Sequence, residues 1–297
     1  MAFSQVGRDL QARIDALYAG IAYGSAQLSG LSGLADRIIH HLAEDGVDGK
    51  VVLEIGCADG TLLERLAGLG AQVRGIEPGA LAAARCVEKG IPVEQRPFHP
   101  DRPMDGPACD VIILRNIIEH TPDPVSWLRR LGNALQPSGR LFLETPNASW
   151  FARKGDWSLL SFLHPVLFSP RGLTLACARA GLTARVIDAD GPALLVEATP
   201  AAPITVVLPE AEALPALDCS PRIEAVARVL AAWRDAGLPF FVWGAGTFAG
   251  GLLAAVPAMA AAVQCHAGAM TFPEPVAYLH DPLRISPIPP IPCRNGW

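Results

Sequence analysis

The sequence predicts an α/β fold with a mostly parallel sheet, on three observations. From Lys50 onward, short apolar runs alternate with amphipathic segments. The first two runs, Val51–Ile55 and Gln72–Ile76, end respectively at a glycine turn, Gly56-Cys57-Ala58-Asp59-Gly60, and at an acid, Glu77. Two later runs, Thr183–Asp188 and Ala193–Glu197, flank Asp190-Gly191-Pro192 in the manner of a hairpin. Strands alternating with helices stack as parallel neighbours, and a hairpin closes an edge antiparallel. The full prediction is a Rossmann-like, mostly parallel sheet with an antiparallel C-terminal edge, preceded by N-terminal helices and followed by a small C-terminal αβ appendage.

Each element has a local reason. Asp9–Leu17 and Leu28–Ala43 read as helices, the second with Leu31, Leu34, Ile38, Ile39 and Leu42 at helical spacing. A helix over Thr61–Leu69 follows the glycine turn. Pro78 suits the first turn of a helix that runs to Glu88. Gly90–Glu94 is a short third strand, the proline-rich Phe98–Ala108 a loop, and the β-branched run Asp110–Leu114 a buried fourth strand. A helix near Pro124 carries Val125, Leu128, Leu131 and Leu135 on one face, and Gln136-Pro137-Ser138-Gly139 stops it before a fifth strand, Arg140–Glu144. Ser149–Phe168 is aromatic-rich and irregular, and Ser169–Ala180 is a helix ended by Gly181.

Downstream of a Pro- and Ala-rich linker, which has room for a strand at Ile204–Leu208, a helix over Pro221–Ala236 and a strand over Phe240–Trp243 lead into a second glycine turn, Gly244–Gly251. The expected organisation is a helical segment over 1–48, a nucleoside-binding domain over 49–200, a linker over 201–221, a small αβ domain over 222–272 and a Pro-rich tail over 273–297. The stretch Pro239–Pro273 has no Asp, Glu, Lys or Arg, but its glycines and Pro257 read as strand, turn and helix rather than a membrane span.

Composition excludes several classes. Of 297 residues 51% are hydrophobic and 18% charged, enough apolar surface for a large core and too little charge for general disorder. A net charge of −5 without a Lys/Arg block gives a nucleic acid no electrostatic footing. Seven scattered cysteines with no C-x-x-C pair read as reduced thiols, and Met1–Leu10 has no apolar signal core, so the expected location is cytoplasmic.

The first glycine turn carries the chemistry. Strand, glycine loop, helix, second strand and acid form the first half of a nucleoside-binding unit. Glu77 is placed to accept from ribose hydroxyls. The loop lacks the third glycine of a dinucleotide loop, and Asp59 at its mouth would repel a phosphate and attract a cationic ligand such as a sulfonium or an aminoacyl group. Val51–Gly60, Gly75–Pro78, Asn116-Ile117-Ile118-Glu119-His120, Leu135–Arg140 and Glu144–Asn147 together resemble the class I methyltransferases dependent on S-adenosylmethionine (SAM), over roughly Lys50–Thr199. Ile117–Pro124 resembles that family's EHxxDP segment, and His164–Gly181 its H…FS…L…AGF segment.

A narrower likeness is to the sugar C-methyltransferase group, whose C-terminal turn is similar to Val242–Leu253 here. This chain departs from that group: it has no Cys-rich zinc-binding N-terminus, no Tyr and Glu ahead of His164, and no lysine in the C-terminal turn.

The resemblance implies a SAM site formed by Glu54, Gly56, Cys57, Ala58, Asp59, Gly60, Glu77, Pro78, Phe98, Arg115 and Asn116. Phe98 would stack on adenine or sit in the core, and Asn116 would meet the SAM amino group or cap a turn. His120 and His164 are the candidate general bases. Glu119 and Asn147 are candidate substrate contacts, and no spacing reads as a metal site. The implied activity is methyl transfer to a small molecule: C- or O-methylation of a nucleotide-linked sugar or natural-product intermediate, with O-methylation of a quinone or phenol as the alternative. A scaffold that binds SAM without catalysis is a further alternative. An NAD enzyme built on Gly244–Gly251 is disfavoured because no acid follows at the expected distance. Oligomeric state is left open.

Overall fold

The structure, a computed structural model, describes residues 8–20, 36–44, 46–156, 159, 164–201, 220–236, 242–243 and 266–267. Seven strands form the main sheet: β1 (Val51–Ile55), β2 (Gln72–Ile76), β3 (Val93–Glu94), β4 (Cys109–Arg115), β5 (Leu135–Pro146), β6 (Leu182–Asp188) and β7 (Ala193–Pro200). Their order is β3-β2-β1-β4-β5-β7-β6. Neighbours are parallel except around β7, which runs antiparallel to both β5 and β6. The parallel sheet with an antiparallel edge is therefore present, and the strand order reverses direction at the β1/β4 junction. A ligand crevice in such sheets opens at the carboxyl ends of the strands on either side of that junction.

Two-residue alternation builds a core on each side of the sheet. Leu53, Ile55, Ile112, Leu114, Leu141 and Leu143 face one apolar cluster, which also takes in Leu128 and Leu131 of α5 (Pro124–Gly132) and Leu173 and Cys177 of α7 (Pro170–Arg179). Val52, Val111, Ile113 and Phe142 face the other, with Ile38 and Leu42 of α2 (36–44), Leu62, Leu63 and Leu66 of α3 (Thr61–Gly68) and Cys86 of α4 (Ala80–Glu88). Helix starts follow the capping rules. Asp123 accepts from the Ser126 amide ahead of α5 and Ser169 from the Gly172 amide ahead of α7, each followed by proline in the first turn.

Three elements differ from expectation. The third strand is two residues long, since Gly90 takes a left-handed φ of 72° and Pro92 has no amide to give the sheet. Gln136–Gly139 is absorbed into β5: Leu135 pairs with Cys109 and Arg140 with Val111, so the turn residues bulge inside the strand. The segment expected to be irregular after Asn147 opens with a helix, α6 (Ala148–Arg153), because the Asn147 side chain accepts from the Trp150 amide.

α1 spans Arg8–Gly20. C-terminal to the sheet, α8 (Ser220–Asp235) and the parallel pair β8 (Val242–Trp243) and β9 (His266–Ala267) are described. The first part of the predicted Leu28–Ala43 helix, the Ile204–Leu208 strand, the Gly244–Gly251 turn and the tail lie outside the described residues. No helix among the described residues is long and apolar enough to cross a membrane.

Candidate active site

The glycine turn is held from below. The Gly56 amide donates to the Ile76 carbonyl at 2.7 Å, joining the turn to the end of β2. Gly56 has φ 69°, and a Cβ there would stand 2.5 Å from Ile117 Cδ1. Gly60 has φ 74°, and a Cβ would stand 2.8 Å from Ile91 Cδ1. Both positions thus need glycine, for conformation and for space.

Glu77 is buried, and its carboxylate accepts from the Ala58 amide at 3.0 Å and the Gly79 amide at 2.7 Å. Loss of solvent raises its pKa, and the two amides oppose that shift. Each carboxylate oxygen retains a lone pair, so Glu77 can shape the loop and still accept from a ligand hydroxyl.

A cleft opens at the carboxyl ends of β1, β2 and β4. Among the expected donor-binding residues, Gly56, Glu77, Pro78 and Phe98 line it. Phe98 is buried and packs edge-on against Trp127 with ring centroids 4.8 Å apart, so it belongs to core and cleft wall together.

Other expected residues serve the loop from behind. The Cys57 side chain turns into the core, its Sγ 3.8 Å from Cys86 Sγ, and the Cys86 contact together with burial keeps that thiol protonated. The Ala58 amide is taken by Glu77. Asp59 is expected to face a cationic ligand. Instead it accepts from the Thr61 amide and hydroxyl and faces Lys89 at 3.4 Å. Partial burial alone would raise its pKa, but the Thr61 and Lys89 contacts hold it below the ordinary carboxylate range.

Glu54 is buried beneath the loop, and its Oε2 has no hydrogen-bond partner among the described residues. Burial pushes its pKa to about 7, with Arg115 pulling the other way. Arg115 and Asn116 both reach Glu144 on β5, at 3.2 and 3.4 Å, tying β4 to its neighbour. Asn116 holds a positive φ of 50°, an unusual backbone state for a non-glycine residue, and it sits where β4 ends at the cleft.

The opposite end of the cleft gathers residues from distant parts of the chain. Ile118–His120 form a single 3-10 turn after β4 that places His120 on the cleft wall at 8% exposure. The His164 ring lies 5.0 Å from that of His120, and its Nδ1 is 2.9 Å from the Leu159 carbonyl. Glu119 is 2% exposed and accepts from the Thr145 hydroxyl at 2.9 Å. Burial pushes its pKa to about 8. A neutral carboxyl therefore adds no negative charge beside the imidazoles at pH 7.

Side-chain donor atoms of Glu119, His120 and His164 lie within 4.8 Å of one another, a grouping that linear spacing does not reveal. Asn147, expected to bind substrate, is engaged elsewhere. Besides capping α6 it donates to the carbonyls of Ala189 and Gly191 at 2.8 and 3.2 Å. Both ends of its amide are committed to backbone.

One whole wall escapes sequence reasoning. Gln11, Ile14, Asp15 and Tyr18 of α1 line the cleft, and the Tyr18 hydroxyl lies 2.8 Å from His120 Nε2. The only signal in the sequence is the 11, 14, 15, 18 spacing on a predicted helix. Trp127, at the start of α5, is a second cleft residue that the sequence does not point to.

Comparison with known proteins assigns the chain to a family. Residues 28–186, more than half of the chain, match the family described as a methyltransferase domain. This chain belongs to that family. A ubiquinone biosynthesis O-methyltransferase of Pseudomonas paraeruginosa is 37% identical over 138 residues, which are 43% of this chain and 56% of the relative. One from Proteus mirabilis is 34% identical over 122 residues, 36% of this chain and 47% of the relative. The methyltransferase chain thus spans about half the length of the curated relatives it matches. Among solved structures, the magnesium protoporphyrin IX methyltransferase of Synechocystis PCC 6803 with bound SAH aligns at 17% identity and a TM-score of 0.48, over 67% of this chain and 96% of that one.

Proposed function

We propose that this methyltransferase domain uses SAM as methyl donor and methylates a hydroxyl of a small, uncharged aromatic acceptor. The observation that carries this reading is that one cleft holds both sets of groups: the Gly56 turn with Glu77, and His120 with Trp127 and Tyr18. The residues fit SAM. Glu77 offers ribose an acceptor, Gly56 leaves the turn open, and Phe98 adds an apolar wall. When bound, SAM supplies an electrophilic methyl on a sulfonium, which leaves as a neutral thioether.

The chain has to align the acceptor oxygen and receive its proton. His120 lines the cleft and is the base we assign; His164 stands beside it as support. His120 would take the hydroxyl proton on its imidazole as the acceptor oxygen receives the methyl that bound SAM would supply, the sulfur keeping the electron pair of the broken bond. Electrostatics favour an uncharged acceptor. The cleft is lined by the acids Asp15 and Glu77 and by no Lys or Arg among the described residues. A nucleotide-linked sugar would bring a diphosphate that such a lining does not neutralise. The curated relatives, O-methyltransferases of ubiquinone biosynthesis, support the same choice.

The test is transfer of a labelled methyl from SAM to catechol or to a UDP-sugar. Label is expected in catechol. Label in the sugar nucleotide alone would favour the sugar reading, and bound SAM with no transfer would favour a scaffold.

A further inference from the structure

The face that α1 turns inward is the wrong one for a packing helix. Positions 11, 14, 15 and 18 fall at i, i+3, i+4 and i+7, one stripe of a helix. An inward stripe is ordinarily apolar. Here Ile14 is buried at the centre, but Gln11, Asp15 and Tyr18 bring polar groups to the cleft, while the apolar Leu17 is left 41% exposed.

The polar groups are arranged along the helix. Gln11 Nε2 donates to Asp15 Oδ1 at 3.0 Å. Asp15 Oδ2 faces His99 Nε2 at 3.0 Å, which pins the middle of α1 to the loop after β3. The Tyr18 hydroxyl meets His120 Nε2 at 2.8 Å, with ring centroids 5.1 Å apart. Gln11 Oε1 is buried and has no hydrogen-bond partner among the described residues. A buried amide oxygen is costly to leave without a donor, so its place on the cleft wall points to a donor that arrives with a ligand.

At 1.5 Å per residue, Gln11 and Tyr18 stand about 10 Å apart along the helix, so the two act at different points of the cleft. We propose that α1 is a working wall of the methyl-donor site: Gln11 accepts a hydrogen bond from an N–H or O–H of the adenosyl group, and Tyr18 is a positioning residue that fixes the ring plane and tautomer of His120. This rests on the SAM reading above and assigns that site two residues from a helix outside the sheet.

The two ends make separable predictions. Gln11→Leu keeps the side-chain bulk and removes the acceptor. It is expected to weaken SAM binding about fivefold to tenfold in calorimetry. Tyr18→Phe keeps the ring and removes the hydroxyl. It is expected to lower kcat at least tenfold with the SAM Kd within twofold of the parent, and to move the His120 ring ¹⁵N shifts toward an unbiased tautomer mixture.

Thermal melting of both variants identifies any loss due only to packing. If both variants melt like the parent and match it in Kd, kcat and ring shifts, the inference is overturned. It is equally overturned if both lose SAM affinity and stability together with no change in the His120 ring. A parent protein that binds no SAM would instead overturn the reading beneath it, so the two failures are told apart.

Discussion

The donor end and the reacting end of the cleft are built by different means. At the donor end the glycine turn and its acid come from one continuous stretch. Glu77 and the Ala58 amide it accepts from are 19 residues apart, and the strands that carry them are neighbours in the sheet. Backbone does most of the work there, through a left-handed glycine and two amides aimed at one carboxylate. At the reacting end, Tyr18 and His120 are 102 residues apart and meet because α1 lines the cleft. There side chains do the work, and His120, His164, Trp127 and Tyr18 each come from a separate part of the chain. A site whose donor end is local backbone and whose acceptor end is long-range side chains can keep one methyl donor while its acceptor changes.

That contrast can be broken, beginning with the largest expected effect. His120→Asn should lower kcat by roughly 10²–10⁴-fold, the usual range for a general base, with SAM affinity within a few-fold of the parent. Initial rates with catechol and calorimetry with SAM check it; unchanged kcat would remove His120 from the chemistry and shift the assignment to His164. Glu77→Ala should act oppositely. It loses the acceptor that shapes the loop and should weaken SAM binding by at least about tenfold, roughly 1.4 kcal/mol. An unaltered Kd would show that the loop amides alone hold the donor.

The third effect is on stability. Glu119 has a folded pKa of about 8 against an ordinary 4.5. Between these values the folded protein holds a proton that the unfolded chain releases, so stability falls as pH rises from about 5 to 8. Glu119→Gln carries no such proton. Its melting temperature relative to the parent should climb by on the order of ten degrees between pH 5 and pH 9. A difference that stays flat with pH would mean that Glu119 is ionised when folded.

The same contrast decides what can be read from the chain alone. β1 and β2 are found at their predicted ends because an apolar run, a glycine turn and an acid are all local signals. The hairpin and the caps at Asp123 and Ser169 are local in the same sense. Asp59 is engaged within the protein because Lys89, from the far end of α4, and Thr61 meet its carboxylate, contacts that its place in the loop does not announce. Asn147 misleads because its amide is claimed by carbonyls beyond β6. The Glu119, His120 and His164 grouping is invisible in sequence because two neighbours are joined by a residue from beyond β5. Gln11 and Tyr18 escape notice because a helix is expected to turn its apolar face inward, and this one does not.

The central claim is that the Gly56 turn and Glu77 hold SAM. Calorimetric titration of the intact chain with SAM tests it most directly, with NAD titrated in parallel. One SAM per chain at micromolar Kd and no heat from NAD are expected. No binding of SAM below millimolar concentration, or preferential binding of NAD, would contradict the claim.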